Sequence, residues 1–256
     1  MFDSGLGGLS VLSAVHKTLP DTPLLYLADS RHAPYGERSD DFITARTLAI
    51  GQHLVDAGAK LVVVACNTAT AVAVATLRAA WPALPVVGVE PAIKPAVAAS
   101  ASGRIGVMAT PGTLRSGKFQ RLLDTHRGQA TVVLQPCPGL AGLIEQGQLD
   151  APAMIDLIHT FCAPLREADV DTVVLGCTHY PFVRHHIQAA MGPDVALLDT
   201  TWPVARQTAR LLQLTPSERP PRAPVRLQTT GDTAHLRQVA SHWLDFPCEV
   251  AETPLV

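Results

Sequence analysis

Charged side chains are scarce in this chain of 256 residues, making up 16% of it against roughly 25% in an average soluble domain. What charge there is nearly cancels, for a formal net charge of −2. That balance excludes a basic footprint for nucleic acid or for an anionic membrane surface. Long apolar runs are missing too. The richest stretch, Leu61 to Leu77, is broken by Asn67, Thr68 and Thr70 and falls short of the roughly 20 residues a membrane span needs. The first residues, Met-Phe-Asp-Ser-Gly-Leu-Gly-Gly, carry neither the basic nor the apolar region of a secretory signal. Cysteines number five, an odd count with no CxxC pair, which indicates neither a disulfide framework nor a zinc ribbon. The expectation is a cytoplasmic protein with reduced thiols and no membrane or nucleic-acid partner.

What is present is apolar: 47% of the residues are hydrophobic, enough to bury one large core or two of ordinary domain size. Val- and Leu-rich runs at Leu24–Leu27, Leu61–Ala65, Val86–Val89, Ile105–Met108, Val132–Leu134, Val173–Leu175 and Val195–Leu198 read as parallel strands buried on both faces. Between them, Leu9–Thr18, Ser39–Ala57, Ala69–Ala80, Pro111–Thr125, Ala151–Ala168, Phe182–Met191 and Pro203–Leu212 read as helices. Alternation of this kind predicts an α/β protein with doubly wound parallel sheets. In such sheets ligands sit at the carboxyl ends of strands. A break near Pro91–Gly103, a second at Asp199–Pro203 and a proline-rich connector at Thr215–Pro224 predict two similar domains, 1–94 with 204–256 and 95–203. The tail, a strand at Val225–Thr230 and a helix at Thr233–Leu244, is expected to return to the first domain.

Two strand-to-helix turns share a plan. Val-Val-Val-Ala-Cys66-Asn67-Thr68-Ala and Val-Val-Leu-Gly-Cys177-Thr178-His179-Tyr each place a cysteine and small polar residues after a buried strand. A weaker echo links Met1–Gly7 with Val107–Thr113. Backbone N–H groups and a helix dipole at such a position favour thiolate, although a lone buried cysteine is commonly a small hydrophobe. Two matching positions point to chemistry: a redox couple, a metal site or two-base proton transfer. A metal would need more ligands than His179 supplies. Proton transfer fits best, one thiolate removing a proton from carbon and the opposite thiol returning one to the other face. The turn Asp3-Ser4-Gly5-Leu6-Gly7-Gly8 fails the GxGxxG spacing. Ala33-Pro34-Tyr35-Gly36 is an unexceptional turn, Glu145 reads as a surface carboxylate, and His185-His186 as a surface pair without metal spacing.

Taken together and in order, Phe-Asp-Ser-Gly-x-Gly-Gly-Leu-Ser-Val at 2–11, Ala-Asp-Ser at 28–30, Ala-Pro-Tyr-Gly at 33–36, Ala-Cys-Asn-Thr-Ala at 65–69, Gly-Val-Glu-Pro-Ala-Ile-Lys-Pro-Ala at 88–96 and Leu-Gly-Cys-Thr-His-Tyr-Pro at 175–181 resemble the glutamate racemases of the cofactor-independent aspartate/glutamate racemase superfamily. The resemblance implies interconversion of L- and D-glutamate for peptidoglycan, with no cofactor and no metal. The four lysines, at 17, 60, 94 and 118, include no evident Schiff-base residue. It implies Cys66 and Cys177 as the acid/bases, Asp3 assisting the first, and Glu145 and His179 the second. Asp3, Ser4, Tyr35, Gly36, Asn67, Thr68, Thr178 and His179 would bind substrate, and Asp29 would stand nearby. The family fold is two α/β domains with the active site at their interface, in assemblies that include a homodimer. Its members carry several residues ahead of Phe-Asp-Ser-Gly where this chain has Met1 alone, so a shortened first strand and a loosely anchored Asp3 are expected, without the extension associated with activation by a peptidoglycan precursor. An acidic-amino-acid racemase of other specificity such as aspartate, a binding protein on this scaffold and a dithiol redox protein are the competing readings.

Overall fold

Short β-branched runs flanked by alanine-rich amphipathic segments assemble here into two parallel sheets, each covered on both faces. The computed structural model describes residues 1–213, 223–253 and 255; most of the proline-rich connector lies outside them. Ten strands are present among the described residues: β1 (Phe2–Asp3), β2 (Leu24–Ala28), β3 (Val62–Val64), β4 (Val86–Gly88), β5 (Arg104–Ala109), β6 (Thr131–Pro136), β7 (Thr172–Leu175), β8 (Ala196–Leu198), β9 (Val225–Thr229) and β10 (Glu249–Glu252). The first sheet runs β10-β9-β2-β1-β3-β4 and the second β6-β5-β7-β8. Every pairing is parallel. Parallel strands need crossover connections, which the helices supply.

Those helices are α1 (Leu9–Thr18), α2 (Asp40–Asp56), α3 (Asn67–Ala80), α4 (Ile93–Ala99), α5 (Pro111–Arg115), α6 (Gly117–His126), α7 (Leu140–Glu145), α8 (Pro152–Glu167), α9 (Arg184–Met191), α10 (Thr201–Leu211) and α11 (Thr233–Trp243). Four apolar clusters follow from this layering. Around the first sheet, one gathers Leu9, Leu12, Val63, Leu227 and Leu236, the other Phe2, Ile43, Ile50, Val62 and Leu77. Around the second sheet, Ile158, Leu165, Val173 and Ile187 form one cluster, and Ile93, Ile105, Phe119 and Val174 the other. No helix among the described residues is long and apolar enough to cross a membrane.

The strand order explains the sequence echo. Leaving aside β9 and β10, the first sheet places β1 between β2 and β3, with β4 outside β3. The second places β5 between β6 and β7, with β8 outside β7. Strands β3 and β7 are therefore equivalent, and the turns after them carry Cys66 and Cys177. Strands β1 and β5 are equivalent as well, and lead into Asp3-Ser4 and Thr110. The tail strand β9 pairs with β2.

Several details depart from the sequence reading. The helix expected over Pro111–Thr125 is two, because the Ser116 hydroxyl accepts from the Phe119 N–H and caps a new start. Helices α4 and α7 and strand β10 had no strong periodic signal. The expected domain boundary at 94/95 falls inside α4, whose Ile93 and Ala96 pack with the second sheet. The boundary at 203/204 falls inside α10, which packs on α1 through Val204 and Ala205. Strand β1 is as short as expected, yet Asp3 is firmly held. Its Oδ2 accepts hydrogen bonds from the Gly8 N–H at 2.5 Å and from the Thr178 hydroxyl at 3.2 Å, and Oδ1 from the Ser4 N–H at 2.8 Å.

Candidate functional site

The carboxyl ends of β1, β3, β5 and β7 converge on one cleft. Ser4, Cys66, Asn67 and Thr68 line it from the first sheet, Thr110, Ala141, Cys177, Thr178 and His179 from the second. Pro34, Tyr35 and Gly36 complete the rim. Both cysteines are buried and free, at 5% and 7% exposure. Among the described residues, the lining contains no lysine.

Cys66 is the N-cap of α3, its Sγ accepting the Ala69 N–H at 3.4 Å. It also approaches the Ser4 hydroxyl at 3.6 Å. Burial, then the negative field of Asp3, push this thiol well above the usual range, overcoming the donors that favour thiolate. The expectation that backbone N–H groups and the helix dipole would favour thiolate here is thus reversed: desolvation outweighs them. Asp3 itself is raised, again mainly by burial, with His179 pulling the other way.

The surroundings of Cys177 are different. Its Sγ lies 3.5 Å from Nδ1 of His179, and Nε2 of the same ring is hydrogen-bonded to Oε1 of Glu145. Burial alone would lower the pKa of this imidazole, but hydrogen bonds to Cys177 and Glu145 hold it well above its ordinary value. Glu145 reads as a surface residue in sequence, yet its side chain is only 14% exposed. Oε1 accepts the Leu6 N–H at 2.5 Å, and the Glu145 carbonyl accepts from His235 of α11 at 2.6 Å. Gly5 and Gly7 make this possible: any β-carbon there would intrude on Glu145 and His179 respectively. The glycine-rich turn lets the Glu145 and His179 side chains pack directly against its backbone.

The rim has its own frame. Asp29 is fully buried and accepts from the Tyr35 hydroxyl at 2.5 Å, Arg46 Nη2 at 2.8 Å, Thr230 at 2.9 Å and, at 3.1 Å, faces His32 Nδ1. Burial works to raise its pKa, but the hydrogen bonds from Arg46, Tyr35 and His32 prevail and hold the carboxyl below its ordinary value. The Tyr35 hydroxyl is therefore committed to Asp29, leaving its ring and the adjoining backbone to face the cleft. A β-carbon on Gly36 would stand 2.7 Å from Thr110.

Two polar features stand at or beside the cleft. Asn67 Nδ2 is buried and has no hydrogen-bond partner, an arrangement that costs free energy unless a ligand supplies one. The hydroxyls of Thr68, Thr110 and Thr113 form a triangle with edges of 3.0, 3.3 and 3.0 Å. Thr110 and Thr113 were not among the sequence candidates. Their signal was the weak echo between Val107–Thr113 and Met1–Gly7, which the equivalence of β5 and β1 accounts for. Asp3 and Glu145 stand behind the lining, in contact with residues that reach the cleft.

Comparison with known proteins agrees with this architecture. The Asp/Glu/hydantoin racemase family matches residues 9–208. The chain is 52% identical over 212 residues to a glutamate racemase from Ectopseudomonas mendocina, covering 83% of this chain and 81% of that one. It superposes on glutamate racemase from Bacillus anthracis with a TM-score of 0.88 at 31% identity, over 99% and 96% of the two chains. The Escherichia coli glutamate racemase, solved with L-glutamate and the activator UDP-MurNAc-Ala, gives 0.86 at 31% identity over 98% and 96%.

Proposed function

The chain belongs to the Asp/Glu/hydantoin racemase family, and on that premise we propose that it interconverts L- and D-glutamate, with Cys66 and Cys177 as its two acid/base groups. The observation that carries the reading is the pair of buried thiols on one cleft, each at the end of an equivalent strand and each with its own carboxylate system. Asp3 stands behind Cys66 and the Glu145–His179 pair beside Cys177.

In one direction a thiolate takes the Cα proton: its S–H bond forms as the Cα–H bond breaks, and the electron pair delocalises into the α-carboxylate. The thiol on the other face then gives up its proton as the new Cα–H bond forms. The stereocentre is inverted, and thiolate and thiol have exchanged places, so the reverse reaction uses the same groups in swapped roles. His179 is placed to take or return the proton of Cys177. The unpartnered Asn67 amide, with Ser4 and Thr178, is suited to the α-carboxylate and ammonium. The Thr68–Thr110–Thr113 hydroxyls are suited to the distal carboxylate, whose charge does not change during the reaction.

The relatives at about half identity are glutamate racemases, which favours glutamate over aspartate; supply of D-glutamate for peptidoglycan is the use that the family resemblance implies. The division of the chain is proposed to run near 91 and 200, ahead of α4 and α10, which pack on the second and first sheets. Turnover assayed by optical rotation with each enantiomer of glutamate and of aspartate, with no added cofactor, tests the assignment. Inversion of both glutamate enantiomers is expected. Inversion of aspartate alone, or tight binding of glutamate without inversion, would replace it with a competing reading.

A further inference from the structure

Away from the cleft, one polar cluster in the second domain has no part in the chemistry above. Asp150 lies in the loop between α7 and α8, and His185 and His186 open α9. Spacing along the chain gave the two histidines no third ligand, because Asp150 is 35 residues upstream. The fold brings it to them. Asp150 Oδ1 lies 2.9 Å from Nε2 of His186 and 3.4 Å from Nε2 of His185. The imidazole rings lie with centroids 3.9 Å apart, and the three potential donor atoms fall within 4.8 Å of one another.

We propose that Asp150, His185 and His186 form a binding site for a divalent transition-metal ion of the zinc, cobalt or nickel class, separate from the catalytic cleft. Among the described residues this is the one place where three such donors converge. Bonds of about 2.0–2.2 Å from a tetrahedral ion set its ligands about 3.4 Å apart. The two spacings around Oδ1 are already close to that, and the imidazole nitrogens lie within 4.8 Å of one another. Two imidazole nitrogens with one carboxylate select borderline ions over magnesium or calcium, which prefer all-oxygen shells. Asp150 and His185 are exposed, at 83% and 59% of their side chains, so an ion can reach the site and water can complete its shell; His186 is fixed by burial to 16%.

The location gives binding a consequence. Asp150 follows shortly after Glu145, and α9 follows the turn that carries Cys177 and His179. An ion held there ties together the two backbone segments that present the Glu145–His179 pair, while making no contact with substrate.

The test is calorimetric titration of Ni²⁺ into the full chain carrying Cys66→Ser and Cys177→Ser, so that the cleft thiols do not compete for metal. One ion per chain with saturable binding is expected. His186→Ala and Asp150→Asn, each added to that background, should weaken it by at least the roughly tenfold that loss of even an outer-shell partner costs. Thermal unfolding with and without Ni²⁺ gives the second reading: an upward shift in Tm in the parent, absent in both variants. Circular dichroism establishes that the variants fold. Absence of saturable binding in the folded parent overturns the proposal, as does binding left unchanged by both substitutions. Because the parent lacks both thiols, neither result depends on the racemase assignment.

Discussion

A β-carbon built on Gly7 would stand 2.4 Å from Nδ1 of His179, although the two residues belong to different sheets. The glycine turn after β1 is thus shaped by the imidazole beside Cys177, and the first sheet's loop sets where that imidazole can sit. Gly7→Ala is expected to displace the His179 ring and lower kcat by about 100-fold, the scale on which small misplacements act. The cost in stability should stay near 1–3 kcal/mol, as for other overpacked positions. Steady-state kinetics and urea unfolding of the variant check both. Unchanged kcat would mean that the ring position is not critical.

The Asp29 cluster predicts a rim held by electrostatics. Asp29→Asn weakens the contact with Arg46 and the acceptors of Tyr35, His32 and Thr230, and should destabilise the fold by about 3 kcal/mol. Because the folded carboxyl titrates below its unfolded value of about 3.9, its contribution is present above that pH and is lost as pH falls through the folded value. Acid unfolding of the wild type should therefore show a steeper limb than that of Asp29→Asn.

His179 gives the opposite sign. Its folded pKa is raised, so its stabilisation is fully present below about pH 6.5 and disappears as pH rises through the higher folded value. The stability difference between wild type and His179→Gln should be level at low pH and shrink on the alkaline side. A difference independent of pH would contradict a charged, doubly hydrogen-bonded imidazole.

The hydroxyl triangle predicts a split in kinetic constants. Thr110→Val keeps volume and removes the hydroxyl shared with Thr68 and Thr113. If the triangle binds a carboxylate in ground and transition states alike, KM for glutamate rises by about tenfold, the worth of one hydrogen bond to a charged group, and kcat changes little.

Much of this was legible in the sequence because parallel strands buried on both faces announce themselves as apolar runs, and strand ends locate ligands. The runs around Val62 and Val173 and the cysteines that follow them needed no structure. Glu145 was pointed to by the family resemblance alone, because α7 is a single short helix with no periodic signal. Its burial depends on Leu6 and on His235, 90 positions downstream, contacts that only the tertiary fold creates. Asp150 escaped for the same reason. The roles of Gly5 and Gly7 could not be read from spacing either, since a glycine kept free by a distant side chain looks like any other turn glycine.

The central claim is that two thiols act on opposite faces of one carbon. Glutamate of each configuration, incubated in D2O with wild type, Cys66→Ala and Cys177→Ala, tests it most directly by following the configuration and deuterium content at Cα. Wild type should place deuterium at Cα of the inverted product from either enantiomer, and each single variant should abolish inversion. Inversion that survives the loss of either cysteine would contradict the account.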